Sequence, residues 1–342
     1  VPSTPGLAHI WMTYHLSCQK SPSSAGLRPD LGQTFLHSLN IMCAIFLSLA
    51  FVLGVLGNGV VIWVAGFKMK KTVNAVWFLN LAVADFFFCA FLPIAVPYLL
   101  QSHWPFGQVM CKLTTALRSL NISVSVWILV VISVDRCVSV VWPVWAHNHR
   151  NVRKASYVSL CVWMVNLIYS IGFFFFIETK EMNDTKAKII CFNKFTLHDD
   201  FKPSSFIHPF SVIVSCYAVI IHRLRRSSTL ARKSSHTLKI ITAIIITFFL
   251  CWAPIRIMDL ILLEKHRSTT TSGTLVYVLA IGIPLARCLT YLNSCLNPLL
   301  YVFMGQDFKN QLCECLVVAA SELKLVIVCS CLAERTVLLT DA

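Results

Sequence analysis

Long apolar runs recur along most of this chain, and they restrict the fold more than any other feature. A helix needs about 20 apolar residues to cross about 30 Å of hydrocarbon, because each residue adds about 1.5 Å. Seven segments are of this kind: 38–66, 74–100, 108–141, 155–177, 204–221, 238–263 and 273–303. We therefore expect an all-α fold, a bundle of seven transmembrane helices that occupies residues 38–303.

The composition and the positions of the charges agree with a membrane protein. Charged residues make up 13% of the chain, whereas soluble domains carry about 25%. The net charge of +14 would suit nucleic acid, but the basic residues concentrate in the first, third and fifth loops between the apolar segments. They are Lys68, Lys70, Lys71, Arg150, Arg153, Lys154, Arg223, Arg225, Arg226, Arg232, Lys233 and Lys239. The positive-inside rule places these loops in the cytoplasm and the N-terminus outside, and we expect no nucleic-acid partner.

The two tails carry weaker signals. Residues 1–37 should form an extracellular tail without a signal peptide, so that the first span directs insertion, and residues 304–342 should form a short amphipathic helix and a cytoplasmic tail. Asn183 begins a glycosylation sequence in the fourth loop, on the outer side. Cys313 and Cys315 follow the amphipathic segment and are candidates for palmitoylation.

A first group of polar residues lies deep within the spans. Its members are Asp85, Asn121, Ser125, Asn293 and Asn297. Asn121 and Ser125 share a helix face because they are four residues apart, as do Asn293 and Asn297. One carboxylate among amide and hydroxyl oxygens suits a hard cation such as sodium, with Asp85 as the charged ligand. A network of hydrogen bonds between helices fits the same residues, and the chemistry alone leaves both interpretations open.

A second group lies near the outer ends of the spans. Arg118, Arg256 and Arg287 each cost about 2.5–3.5 kcal/mol at the centre of a membrane helix, so they require water or anions. Guanidinium groups bind carboxylates through paired hydrogen bonds, which favours an acidic ligand, and Tyr291 shares a helix face with Arg287. Asp259 lies three residues after Arg256, so an internal ion pair is the alternative, but one carboxylate cannot satisfy three arginines.

Short motifs occur in a fixed order along the spans. They are Gly57-Asn58, Leu81-Ala82-Val83-Ala84-Asp85, Asp135-Arg136-Cys137, Trp163, Cys251-Trp252-Ala253-Pro254 and Asn297-Pro298-Leu299-Leu300-Tyr301. Together they resemble the rhodopsin-like family of G-protein-coupled receptors. Segments 67–74, 77–80, 103–107 and 301–309 are similar to the chemerin-like receptors. Pro143-Val144-Trp145, followed by Asn148-His149-Arg150, resembles the wider chemoattractant group that includes the formyl peptide receptors.

The resemblance implies a multi-pass receptor of the plasma membrane and not an enzyme. Its ligand would be an extracellular peptide or lipid acid, and its partners a heterotrimeric G protein of the inhibitory class and arrestin. The resemblance also implies that the group around Asp85 is an allosteric sodium site, with no other cofactor, and that Cys111 and Cys191 form a disulfide bond.

The resemblance further implies an activation switch formed by Asp135, Arg136, Tyr217, Trp252, Pro254, Pro298 and Tyr301. In the family's scheme, Arg136 pairs with Asp135 at rest. On activation it meets Tyr217 and Tyr301 while the sixth helix moves outward and admits the C-terminal helix of the G protein. Trp252 would lie beneath the bound ligand.

The fifth span departs from the pattern of the group. Only 17 residues separate Cys191 from Pro209, and residues 196–205 within them, with Asp199, Asp200 and Lys202, do not form an apolar outer half of a span. A short fifth helix leaves a second hypothesis, a decoy or non-signalling receptor of the same fold. A membrane transporter is a more distant alternative, since it predicts internal repeats and paired broken helices that the sequence lacks.

Overall fold

The computed structural model describes residues 29–101, 103–175, 177–182, 188–193, 204–226, 228–267 and 273–302. Within these ranges the chain forms nine α-helices and one β-hairpin. The helices are α1 (Pro29–Trp63, continued by a π-helical turn, Val64–Lys68), α2 (Val73–Ala90), α3 (Leu92–Gln101), α4 (Gly107–Val141), α5 (Pro143–His149), α6 (Val152–Phe174), α7 (Ser204–Arg225), α8 (Ser228–Arg267) and α9 (Gly273–Val302). The strands are β1 (Ile177–Met182) and β2 (Lys188–Asn193).

Seven helical spans are found where the apolar segments predict them. Among the described residues, six are long and apolar enough to cross a membrane: Thr34–Lys68, Val73–Gln101, Gly107–Val141, Val152–Ile171, Ile241–Ile261 and Val278–Leu300. The seventh is α7, whose 22 residues extend about 33 Å and pack against α4 and α8. The predicted fold class, a bundle of seven transmembrane helices, is confirmed.

The second span is interrupted, which the apolar pattern alone did not indicate. It consists of α2 and α3, separated at Phe91. Pro93 has no N–H to donate to the carbonyl of Cys89, which removes one backbone hydrogen bond of a continuous helix at this point. Instead, the amide of Phe91 donates to Phe88 O at 3.2 Å and that of Ile94 donates to Phe91 O at 3.2 Å.

The interior of the bundle is apolar, as in a soluble protein, but its outward faces are apolar as well. The main core joins large side chains of α2, α4 and α8, among them Trp77, Leu81, Ile128, Ile244 and Phe248. The outward faces of α1 and α6 expose many aliphatic residues, with Leu56 at 64% and Ile168 at 67%. Such faces are favourable against lipid and costly against water.

The long outer loop contains an antiparallel hairpin that is linked covalently to the bundle. In the β1–β2 ladder, Thr179 lies opposite Cys191. Cys191 forms a disulfide with Cys111 in the first turns of α4, with a Cα–Cα distance of 5.6 Å. The sequence predicted a loop here, and it did not reveal the strands.

The first outer loop is joined to the same hairpin by hydrogen bonds. The amide of Trp104 donates to Ile189 O at 2.8 Å, and the amide of Ile189 contacts His103 Nδ1 at 3.2 Å. The buried indole of Trp104 also donates to Gly107 O at 2.7 Å, at a residue whose φ of +72° favours glycine. Hairpin, first outer loop and α4 therefore form one connected outer layer.

Close packing between α1 and α2 depends on a glycine. A Cβ added to Gly54 would lie 2.3 Å from Cys89 Sγ and 2.9 Å from Cys89 Cβ. Rotation of the cysteine side chain can move its sulfur but not its Cβ, so the helices themselves would have to separate. Gly59, on the same helix, has more space, because its added Cβ would meet Phe86 only at 3.6 Å.

We predict that Gly54→Ala destabilises the bundle by about 1–3 kcal/mol, the usual effect of overpacking a core. The measurement is the thermal midpoint of the purified protein in detergent or nanodiscs. Gly59→Ala is the matched control and should leave the midpoint nearly unchanged. Equal midpoints for the two variants would contradict the close contact.

Candidate functional site

The predicted site residues lie at three levels along the bundle, and α4 contributes to all three. Arg118 lies on the outer half of this helix, Asn121 in the middle, and Asp135 and Arg136 at its inner end. Each level contains charge that is largely or wholly removed from water. The chemistry of each level therefore depends on which groups neutralise that charge.

The outer level brings together the arginines predicted from three spans. The Nη1 atom of Arg256 lies 3.5 Å from Asp259 Oδ2, one turn along α8. Asp259 also interacts electrostatically with Arg118 of α4 and Arg287 of α9, and these two arginines repel each other. The internal ion pair considered from the sequence is thus present between Arg256 and Asp259, and Arg118 and Arg287 lie within electrostatic range of the same carboxylate.

Aromatic rings line the same level and connect it to the core. Tyr98, on α3, lies close enough to Arg118 and Arg287 to interact with both. Tyr291 is buried and stacks on Phe88 with ring centroids 5.5 Å apart. A cationic site with aromatic walls can bind the acidic group of a ligand together with an apolar portion.

Trp252 lies directly inward of this cluster. The guanidinium carbon of Arg256 is 6.0 Å from the centroid of its ring, and the ring is 5% exposed. Phe248, one turn further inward, has its ring centroid 6.0 Å from Trp252. Arg256 and Trp252 thus connect the outer cluster with the main core. Pro254 lies within α8 between Trp252 and Arg256.

The middle level is organised around Asp85, which is completely buried. Its Oδ1 accepts hydrogen bonds from Asn121 Nδ2 at 3.0 Å and from Ser294 Oγ at 2.7 Å. Its Oδ2 accepts from Asn297 Nδ2 at 2.7 Å. The carboxylate thus connects α2 with α4 and α9, as the network interpretation requires. Asn58 of α1 extends the network by donating to Ser294 O at 2.9 Å.

Several oxygen atoms of this level accept no hydrogen bond from the described residues. They are Ser125 Oγ, Asn293 Oδ1, Asn297 Oδ1 and Asn58 Oδ1, all buried. Buried oxygens are normally satisfied by protein, water or a cation. The donor set consists of one carboxylate with amide and hydroxyl oxygens. No group of three or more His, Cys, Asp or Glu suited to a metal ion occurs in the part of the chain that is described.

The inner level contains the pair that the sequence placed at the centre of the switch. Arg136 donates from Nε to Asp135 Oδ2 at 3.0 Å and also contacts this oxygen through Nη2. Tyr217 of α7 lies near enough to interact electrostatically with Arg136. Pro298, in α9, packs against α1, where a Cβ on Gly57 would be 3.1 Å from the proline ring.

Two residues that sequence reasoning missed complete the inner level. Arg150, in the second inner loop, donates to Asp135 Oδ1 at 2.8 Å and to Oδ2 at 3.2 Å. The Oδ1 atom of Asn74 accepts from Arg150 at 2.7 Å and from Arg136 at 3.0 Å. Both lie in segments that resemble receptor motifs, but that resemblance did not indicate their contacts.

Ser294 was also missed, although it lies next to Asn293 and shares a helix face with Asn297. Other predicted residues fall outside what the structure describes. Asn183, Cys313 and Cys315 lie outside the described residues, as do most of the two tails, and the side chain of Tyr301 is not described. Their assignments stay predictions.

The ordered motifs and the three buried levels can now be compared with known proteins. The sequence profile of the 7 transmembrane receptor (rhodopsin family) matches residues 57–301, which include all three levels. The chain belongs to the rhodopsin family of seven-transmembrane receptors. A receptor of this family is a multi-pass protein of the plasma membrane and not an enzyme, and its partners are an extracellular ligand and a G protein.

Relatives of the receptor are chemoattractant-type receptors. It is 42% identical over 306 residues to chemerin-like receptor 1 of Homo sapiens, which covers 82% of this chain and 79% of the relative. It is 38% identical over 312 residues to C5a anaphylatoxin chemotactic receptor 1 of Oncorhynchus mykiss, covering 87% and 86%. It is 37% identical over 298 residues to formyl peptide receptor 2 of Mus musculus, covering 81% and 84%.

We predict that Ser294→Ala destabilises the receptor by about 1.5–3 kcal/mol, because it removes a hydrogen bond to a buried carboxylate. Ser133→Ala is the matched control. Ser133 is equally buried, but its hydroxyl donates only to Leu129 O of its own helix, at 2.8 Å. Thermal midpoints of the two variants at equal pH and salt provide the measurement. A larger decrease of the thermal midpoint for Ser133→Ala would contradict the expected contribution of the Ser294–Asp85 hydrogen bond to stability.

Proposed function

We propose that this receptor binds an extracellular peptide or lipid acid at its outer level and signals through an inhibitory G protein. The observation that carries the proposal is that Arg118 and Arg287 lie within electrostatic range of each other and of Asp259, the carboxylate that pairs with Arg256. An acidic ligand would relieve the repulsion between Arg118 and Arg287. The chemoattractant relatives support the same ligand class, since two are named for the C5a anaphylatoxin and for formyl peptides.

The ligand's acid and its apolar part would have different roles. Its carboxylate would bridge Arg118 and Arg287, on α4 and α9. Its apolar part would lie among the aromatic residues, towards Arg256 and Trp252. Because α8 carries both of these residues, occupation of the site would bias the position of the helix that the family moves on activation.

We predict that Arg287→Ala lowers the potency of acidic agonists by at least about tenfold, as expected for the loss of a charge-assisted hydrogen bond. Inhibition of cyclic AMP formation is measured with C-terminal chemerin peptides and long-chain fatty acids, on cells with matched surface display. The chemical control is the C-terminal amide of each peptide, whose potency should not change between wild type and variant. Unchanged potency of the acidic agonists in Arg287→Ala would contradict the proposal that the carboxylate of the ligand binds Arg287.

The inhibitory class of G protein is supported by the resemblance to the chemoattractant group and is tested separately. Pertussis toxin modifies inhibitory G proteins and should abolish the cyclic AMP response of cells that display the receptor. A response that survives the toxin would point to another G-protein class. Arrestin is a further proposed partner, which agonist-dependent recruitment to the displayed receptor would test.

Asp85 and its neighbours would hold an allosteric sodium ion. The buried oxygens of Ser125, Asn293 and Asn297 support this proposal, since they have the chemistry that hard cations prefer. Asn121 holds Asp85 Oδ1 in place. When bound, sodium supplies a positive charge that offsets the buried carboxylate and favours the packing of α2, α4 and α9 around it.

We predict that sodium chloride raises the thermal midpoint of the purified receptor relative to choline chloride at the same ionic strength. The physical reason is that an ion bound only to the folded state stabilises it. Asp85→Asn should abolish the difference between the two salts. A sodium effect that persists in this variant would exclude Asp85 as the charged ligand.

The activation switch would work by release of Arg136 from Asp135. The proximity of Tyr217 to Arg136 supports Tyr217 as one new partner, and Tyr301 of α9 would be the other. Pro254 and Pro298 remove backbone hydrogen bonds from α8 and α9 and thus mark where these helices can bend. The inner end of α8 would then move outward and admit the G protein.

A decoy receptor of the same fold is the second candidate. The observation that favours it is α7, which is long enough to cross a membrane but is less apolar, over its described residues, than the other six spans. A displayed receptor that binds the acidic peptide but neither lowers cyclic AMP nor engages a G protein would be a decoy.

A further inference from the structure

The inner level holds more positive charge around Asp135 than a single resting ion pair needs. Arg136 uses one carboxylate oxygen, Oδ2. Arg150 holds the other oxygen, Oδ1, at 2.8 Å and also reaches Oδ2 at 3.2 Å. Asn74 accepts from both arginines through one oxygen. Both guanidinium groups therefore contact Asp135 Oδ2 and Asn74 Oδ1, and they repel each other.

Arg150 is held in this position by the backbone on both sides. It ends α5, and its amide donates to Ala146 O at 2.9 Å. The next residue, Asn151, caps α6 by accepting from the amide of Lys154 at 2.9 Å. The guanidinium of Arg150 can thus remain on Asp135 without any movement of the loop.

Release of Arg136 creates a problem that this arrangement solves. Asp135 is only 14% exposed, so a carboxylate left there without a counter-ion would be strongly unfavourable. We propose that Arg150 is the replacement counter-ion of Asp135, a positioning residue that neutralises this carboxylate when Arg136 leaves. Arg150 thereby lowers the free energy of the active state and weakens the hold of Asp135 on Arg136 in the resting state.

The proposal rests on the release of Arg136 described above, but it makes a separate prediction about whether loss of Arg150 raises or lowers activity. A residue that merely fastens the resting state would raise activity when it is removed. Arg150 has the opposite effect, because its loss leaves both oxygens of Asp135 to Arg136 and leaves the active state with an unpaired buried carboxylate. Arg150→Ala should therefore disfavour the active state.

The test measures the affinity of the purified full-length receptor, in nanodiscs, for a purified inhibitory G-protein heterotrimer depleted of nucleotide. No added ligand is needed, because the nucleotide-free G protein itself favours the active state. Arg150→Ala should raise the Kd about tenfold, the size expected for the loss of a charge-assisted hydrogen bond. Arg150→Lys keeps the charge but cannot make the bidentate contact, so its Kd should lie between those of the wild type and Arg150→Ala.

The matched control is Arg153→Ala, which removes the same charge from an exposed position three residues further along the chain and should leave the Kd unchanged. Asp135→Asn removes the carboxylate and should lower the Kd. In that background Arg150→Ala should have no further effect, because no buried charge remains to be neutralised. The thermal midpoint of Arg150→Ala in the resting state checks that the variant is folded.

Other results of the affinity measurements would contradict the proposal. A lower Kd for Arg150→Ala would show that Arg150 stabilises the resting state and would refute the proposal. An equal loss in the Asp135→Asn background would show that Arg150 acts on the G protein or the loop. If Asp135→Asn fails to lower the Kd, the release of Arg136 from Asp135 is not the switch, and the inference fails with it. If the wild type does not bind, the proposed signalling through an inhibitory G protein is wrong, and the inference fails for that reason instead.

Discussion

Charge inside the hydrocarbon layer has no water to neutralise it, and the arrangement of this receptor follows from that condition. A charged group at the bilayer centre costs several kcal/mol unless protein groups or a ligand take the place of water. Asp85 meets this condition with three hydrogen-bond donors from two other helices. The outer arginines lie within electrostatic range of Asp259, whose charge offsets part of theirs.

Helix α4 connects the three levels because it carries one essential side chain at each. Arg118 takes part in the outer cluster, Asn121 donates to Asp85, and Asp135 anchors the inner arginines. Its outer end is linked by a disulfide to the hairpin, and its inner end contacts the second inner loop. A small rotation or shift of this one helix would therefore change the partners of charges at every level.

The sequence was sufficient for the spans, because the length and apolar content of a membrane helix are dictated by the bilayer. It also identified Asp85, Asn121 and Asn297 as neighbours, since unfavourable polar residues in apolar segments have few partners to choose from. It did not reveal the break at Phe91, the hairpin or the contacts of Ser294. Those depend on local hydrogen bonds and on helix rotation. Arg150 was counted as loop charge and as part of a motif shared with the chemoattractant group, and neither signal indicated its contact with Asp135.

The outer layer has a consequence for how a ligand enters. Hairpin, first outer loop and α4 are joined by the disulfide and by the hydrogen bonds of Trp104 and Ile189. A rim that is already ordered loses little conformational entropy when a ligand arrives, so more of the contact energy appears as affinity. The same rigidity limits how far the rim can widen, so the rim would select a ligand by the shape of the part that passes it.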